Sequence, residues 1–205
     1  RSSFPQAEHD LLLRKVLGTN NDTSANDGAI QILELGAGTG LLSIALAKWN
    51  AAVMSTECGS AMCHLRKNCL HNGVLKSCSD ENNSNSTLVA GMVNCKKLDW
   101  FDADLTLEGL FALPQDEHRS EFDVICITDC CLTEKEADGV FQTIRKFGTP
   151  HHTRVVVGLC KQREGYRHFM KLVKREHGDS LVEVPSSDLH PDFTSDRHTI
   201  MTFSL

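Results

Sequence analysis

Three features of this 205-residue chain predict a doubly wound α/β fold, with seven strands in a mostly parallel sheet that closes on an antiparallel C-terminal hairpin strand. First, the apolar run Ile32-Leu33-Glu34-Leu35 leads straight into Gly36-Ala37-Gly38-Thr39-Gly40, and a helical pattern (Leu41, Leu42, Ile44, Ala45, Leu46) begins at once. Second, strand-like and helix-like patterns then alternate along the chain, which requires right-handed crossovers between parallel strands. Third, the last two strand patterns are separated only by the polar stretch 185–197, so they pair as a hairpin.

The elements follow in order. Residues 5–17 read as a helix, because Ala7, Leu11, Leu12, Val16 and Leu17 recur at helical spacing and Gly18 ends it. Residues 19–28, rich in Asn, Asp, Thr, Ser and Gly, read as a loop. The first strand is 29–35 and the first crossover helix 40–49; the second strand is 52–57 and its helix 60–71, with Ser60 as N-cap and Gly73 just past the end. Residues 77–87 are too polar to bury a core face and are expected as an exposed, mobile insertion. The third strand, 88–98, ends at Leu98-Asp99-Trp100; a long connection, 101–120, has room for one helical turn at 107–111. The fourth strand is 122–129. A helix over 133–147 opens with Thr133 and Glu136 in capping-box spacing. Residues 153–160 make the fifth strand, 164–176 a helix bearing Tyr166, Phe169, Met170, Leu172 and Val173, and 181–184 and 198–203 the last two strands.

Composition bounds the function. With 40% hydrophobic and 23% charged residues, the chain reads as one globular domain over 1–205 and is expected to act as a monomer. It has no apolar run long enough to span a bilayer, and no membrane partner is expected. It has no signal-peptide pattern, and it starts at Arg1 rather than Met, which leaves room for an upstream segment. A net charge of −6 argues against a nucleic-acid backbone as main partner. Nine cysteines at irregular spacing make a poor disulfide framework, and Cys58, Cys63, His64, Cys69 and His71 lack the paired spacing of a structural zinc site. Reduced thiols, no metal, and a cytoplasmic or nuclear location are therefore expected. His151-His152 falls in a turn after Pro150, at the sheet edge away from the glycine turn.

The glycine turn carries the chemistry. Glycine permits a sharp turn and close approach of backbone to ligand. The spacing here is G-x-G-x-G rather than the G-x-G-x-x-G of a dinucleotide fingerprint, and Glu34 precedes it. A carboxylate beside the turn disfavours a pyrophosphate and favours a cationic ligand. Glu57 ends the second strand roughly 20 residues on, where a ribose-binding carboxylate belongs.

The stretch from Glu34 to Gly40 resembles motif I of the class I S-adenosylmethionine-dependent methyltransferases, which have a Rossmann-like fold. The order of landmarks is most similar to the seven-β-strand protein-lysine methyltransferases: Glu34-Leu35-Gly36-Ala37-Gly38-Thr39-Gly40-Leu41, then Leu65-Arg66-Lys67-Asn68 and His71-Asn72-Gly73, then Leu98-Asp99-Trp100. The resemblance covers residue 29 to the end. It implies S-adenosyl-L-methionine as cofactor and a protein lysine as acceptor. It places Glu57 on the ribose hydroxyls, the backbone of Gly36, Ala37, Gly38, Thr39 and Gly40 along the amino-acid moiety, and Asp99 and Trp100 at the adenine. Glu34 either meets the ligand's ammonium or holds the turn together. Thr128 and Asp129 end the fourth strand at the ligand-binding edge, and Asp129 is the candidate catalytic residue that orients the acceptor. The family's Asp-x-x-Tyr reads Asp129-Cys130-Cys131-Leu132 here, without the aromatic. Two other functions stay open: transfer to a small molecule or nucleic acid, and a binding protein on the same fold that does not catalyse. Arg163 lies just past the fifth strand, either facing an acidic substrate or as a surface charge.

Overall fold

The computed structural model describes residues 29–75, 88–102, 122–189 and 195–205. The expectations for 5–17, 19–28, 77–87 and 107–111 lie outside these residues. The described elements are β1 (Gln31–Leu35), α1 (Leu41–Lys48), β2 (Ala52–Glu57), α2 (Ala61–His71), β3 (Val93–Lys97), β4 (Val124–Thr128), α3 (Glu134–Phe147), β5 (Arg154–Cys160), α4 (Glu164–His177), β6 (Val182–Glu183) and β7 (His198–Ser204). They form a seven-stranded sheet in the order β3-β2-β1-β4-β5-β7-β6. The strands from β3 through β5 are parallel, whereas β7 runs antiparallel to both β5 and β6. The hairpin is thus present, and β7 slots between β5 and β6.

Alternation along each central strand builds a core on each face of the sheet. On one face Leu33, Ile125, Val155 and Phe203 pack with Phe141 of α3 and Phe169 of α4. The two rings meet edge to face, 6.2 Å apart. On the other face Ile32, Val53, Val93 and Val124 pack with Leu46 of α1 and Leu65 of α2. Helices on both faces put the β1–α1, β2–α2 and β4–α3 turns at one edge of the sheet, the carboxyl edge.

Most boundaries fall within a residue or two of the sequence expectation, with two informative differences. The third strand is shorter than 88–98, because Gly91 takes φ +73° in a turn and pairing with β2 starts only at Val93. Ser60 occupies the N-cap position of α2 without bonding through its hydroxyl: its backbone is helical (φ −71°, ψ −23°), not the extended conformation that aims a cap at the next amides. Thr133 of α3 is extended and makes both bonds of the capping box with Glu136.

The N-terminus of α4 docks on the segment after β4. Gly165 donates its N–H to the Leu132 carbonyl at 3.3 Å. A Cβ at Gly165 would lie 2.4 Å from the Thr133 carbonyl oxygen and 2.6 Å from that of Cys131, both backbone atoms. Gly165→Ala is therefore expected to cost about 2–3 kcal/mol by overpacking. Gly158→Ala, whose methyl meets only Thr128 Cγ2 at 3.8 Å, is expected to be near neutral. Urea unfolding of the two variants checks this, and equal midpoints would contradict it.

Candidate functional site

The turn between β1 and α1 holds three left-handed glycines: Gly36 (φ +67°), Gly38 (φ +56°) and Gly40 (φ +86°). Local bonds fix it. Gly40 donates to the Ala37 carbonyl at 2.9 Å, and Ala37 donates to the Thr56 carbonyl of β2 at 2.9 Å. The Asn68 side-chain amide of α2 reaches the Thr39 carbonyl at 2.8 Å. Gly38 donates its N–H to Glu57 Oε2 at 2.6 Å. The three glycines are not equivalent. A Cβ at Gly36 would meet Cys130 Sγ at 2.5 Å and Trp100 Cζ2 at 3.0 Å, and one at Gly40 would meet Leu65 Cδ1 at 2.6 Å. At Gly38 nothing lies within 4 Å, so this glycine faces an open cradle.

Glu57 bridges that cradle to β2. Its Oε1 accepts from the Cys58 N–H at 2.8 Å while Oε2 holds Gly38. Each oxygen keeps a further lone pair for a hydroxyl donor. Glu34 has a different environment: it is 1% exposed, and Ser43 of α1 donates its hydroxyl to Oε2 in a short bond. Its backbone carbonyl accepts the Thr56 hydroxyl at 2.7 Å. Burial pushes the Glu34 carboxyl up to about 7; the Ser43 bonds oppose this and the nearby Glu57 charge adds to it. Glu34 thus ties β1 to α1 through Ser43.

The strand ends add the other candidates. Leu98 donates to the Glu57 carbonyl at 3.1 Å, which sets the chain after β3 beside β2. Asp99 is exposed and accepts the Phe101 N–H at 3.0 Å. Trp100 is half-buried, its ring edge against Gly36 and its Cβ against Gly139 of α3. Thr128 is exposed at the end of β4. Asp129 takes φ +49°, a left-handed conformation that few residues other than Gly, Asn and Asp accept. Its N–H donates to the Gly158 carbonyl at 2.8 Å. Arg163 donates to Asp129 Oδ2 at 3.0 Å, and both side chains are about half exposed, so Oδ1 remains open to solvent-side donors. The cation past β5 is thus the partner of Asp129.

The sequence carries Asn68, Cys130 and Arg163 but not their contacts here, which join distant segments. Cys130 is buried beneath Gly36, its thiol 3.2 Å from both the Leu35 and Thr128 carbonyls. Burial pushes the Cys130 and Cys131 thiols up, Cys131 to about 12, so both stay protonated. Leu132 stands 43% exposed where the family landmark carries its aromatic. Among the described residues no disulfide is formed, and no three His, Cys, Asp or Glu side chains gather as a metal site. His152 pairs with Asp123 at 3.4 Å, at the opposite edge of the sheet.

The raised Glu34 pKa predicts a pH signature. In the unfolded chain the carboxyl ionises above its ordinary 4.5, whereas in the fold it holds its proton to about 7. Between these values folding takes up a proton, so stability falls as pH rises from 4.5 to 7 and levels off above. Glu34→Gln does not titrate. From pH 4.5 to 8, the variant's unfolding free energy is expected to gain about 3 kcal/mol relative to the wild type. Denaturant unfolding at both pH values measures this; a difference that does not change with pH would contradict it.

Comparison with known proteins gives the chain a family. A family model described as lysine methyltransferase matches residues 9–176. Protein-lysine N-methyltransferase EFM2 of Saccharomyces cerevisiae is 27% identical over 184 residues, an alignment that covers 83% of this chain and 38% of that protein. The chain therefore spans under half the length of that relative. Among solved structures, the PH0226 protein of Pyrococcus horikoshii OT3 has the same fold with a TM-score of 0.57 at 12% identity, covering 99% of this chain and 92% of that one. Magnesium protoporphyrin IX methyltransferase of Synechocystis PCC 6803, solved with S-adenosylmethionine bound, gives 0.56 at 13% identity, covering 97% and 78%. The family model spans most of the chain, and the chain belongs to the lysine methyltransferase family.

Proposed function

We propose that this chain is an S-adenosyl-L-methionine-dependent methyltransferase that acts on a lysine side chain of a protein in the cytoplasm or nucleus. The observation that carries this reading is the open cradle at Gly38 with the Glu57 carboxylate fixed across it. A Cβ there would fill the space that a ligand needs, and a carboxylate with spare lone pairs suits a pair of ribose hydroxyls. Family membership supports the same reading, and cysteines that form no disulfide among the described residues suit a reducing compartment.

The residues divide the work. Glu57 would hold the ribose. The backbone of residues 36–40 would line the amino-acid moiety, with Glu34 and Ser43 holding that backbone in place from below. Asp99, Trp100 and Thr128 stand at neighbouring strand ends, placed to border the rest of the cofactor. When bound, the cofactor supplies a methyl group already activated on a positively charged sulfur. The protein's contribution is then alignment and desolvation. Asp129 Oδ1 would orient the acceptor amine, while Arg163 and the Gly158 carbonyl hold Asp129 in its left-handed conformation. Lysine reaches the site with a reference pKa of about 10.4, so it must lose a proton before it can attack. That proton would leave to solvent, which reaches the half-exposed Asp129, and the carboxylate would then accept a hydrogen bond from the neutral amine and aim its lone pair.

One observation favours a second reading, cofactor binding without transfer: Leu132 is exposed where the family landmark has an aromatic. Two measurements separate the readings. Calorimetric titration with S-adenosylmethionine is expected to show binding, weakened about 10- to 100-fold by Glu57→Ala through loss of charge-assisted bonds. No binding to the wild type would refute both readings. Asp129→Asn is expected to leave cofactor affinity unchanged and to lower methyl transfer at least about tenfold; equal transfer rates would remove Asp129 from the mechanism, and binding with no transfer by the wild type would leave the second reading.

A further inference from the structure

A second concave surface lies beside the acceptor edge and has no part in the site described above. It is a cavity of about 410 Å³ lined by Glu134 at the start of α3 and, on α4, by Tyr166, Arg167, His168, Met170, Lys171 and Lys174. Residues 166, 167, 170, 171 and 174 fall on one face of a helix, by the i, i+4, i+8 spacing. Tyr166 and Met170 are half-buried against the core and form an apolar floor. Arg167, Lys171 and Lys174 are exposed along the rim. His168 is already taken by Asp138 at 2.8 Å, and Glu134 is the acid on the lining. Among the described residues Arg167 and Lys171 have no ion-pair partner and Lys174 lies within electrostatic reach of Glu183, so the lining carries three cations against one carboxylate, the reverse of the chain's overall balance of −6.

The position of this groove gives it meaning. Tyr166 follows Arg163, the partner of Asp129, by three residues, and Gly165 between them is bonded to the Leu132 carbonyl. The groove therefore starts one helical turn from the Asp129 ion pair. From Tyr166 to Lys174 the helix rises roughly 12 Å. An extended peptide covers that distance in about four residues.

We infer that this α4 face is a docking groove for an acidic segment of the protein that carries the acceptor lysine. The inference rests on the proposed lysine-directed activity and names the chemistry of its substrate: carboxylates a few residues from the lysine, with an apolar side chain among them for the Tyr166–Met170 floor. Charge complementarity selects the occupant, because a rim of cations on an acidic protein attracts acidic partners and repels basic ones.

The test uses the full chain and a fluorescein-labelled peptide containing one lysine, one leucine and a glutamate-rich flank, read by fluorescence anisotropy. A matched peptide with glutamines in the flank is the control. The glutamate peptide is expected to bind at least about tenfold more tightly, with an affinity that drops as salt rises. The double charge reversal Arg167→Glu, Lys171→Glu is expected to erase that advantage while leaving circular dichroism and S-adenosylmethionine affinity as in the wild type. Equal binding of the two peptides, or an undiminished preference in the reversed variant, would overturn the inference. So would tighter, Arg167- and Lys171-dependent binding of a labelled single-stranded RNA, which would assign the groove to a nucleic acid. Cofactor titration of the same samples reports on the enzymatic reading separately: if it fails while the peptide preference holds, the groove remains an acidic-peptide site, but the methyltransferase reading and the acceptor-lysine part of the inference fall.

Discussion

The bond from the Gly38 N–H to the Glu57 carboxylate is the constraint on which the rest of the edge depends. A turn with left-handed glycines at alternate positions has little stiffness of its own, since glycine loses more conformational freedom on ordering than any other residue. The sheet supplies the stiffness. The register of β1 on β2 sets Leu35 opposite Thr56, so Glu57 emerges one step past the end of β1, level with the turn. Its two oxygens then hold Gly38 and Cys58 together, and the Ala37 N–H bonds to the Thr56 carbonyl beside them. A site fixed in this way before a ligand arrives avoids much of the ordering cost of binding.

Underneath lies a polar layer that a core would ordinarily exclude. Glu34, Ser43, Ser55 and Thr56 are all buried. Burying an ionised carboxylate is costly, and the structure answers by raising the Glu34 pKa to about 7 and giving it a hydroxyl partner in Ser43. The same crowding explains Cys130. Gly36 has no room for even a Cβ above its sulfur, and the thiol caps the Leu35 and Thr128 carbonyls at the ends of β1 and β4. A small weak donor fits where a ring would displace the turn. In this chain the residues after Asp129 therefore serve packing at 130 and 131, and exposure resumes at Leu132.

Legibility in the sequence followed the range of the interactions. The capping box of α3, the helical faces of α3 and α4 and the parallel strands were readable, because each depends on neighbours a few residues apart. The glycine turn and Glu57 were readable because strand, turn and helix fix their relation at short range. Contacts between distant segments were not. The Asn68 side chain reaching the Thr39 carbonyl leaves only a faint trace, an asparagine inside a helix where its propensity is poor. Arg163 on Asp129, and Trp100 between Gly36 and Gly139, depend on how β3, β4 and β5 are ordered in the sheet. The third strand is shorter than its pattern suggests because Leu88 and Val89 look like strand residues, yet the Gly91 turn sets them apart from it. Ser60 shows the limit of capping rules: the right residue at the right place made no bond because its backbone was helical.

Transfer of a methyl group to a protein lysine, as proposed for this edge, is open to direct measurement. The most direct measurement incubates the chain with S-adenosylmethionine labelled in its methyl group and with fractionated cell protein and nucleic acid, then hydrolyses the products and identifies the labelled residue. Label is expected in methylated lysine of the protein fraction, dependent on Glu57. Label recovered in nucleic acid, in a small molecule or in another amino acid, or cofactor binding with no label transferred to any fraction, would contradict it.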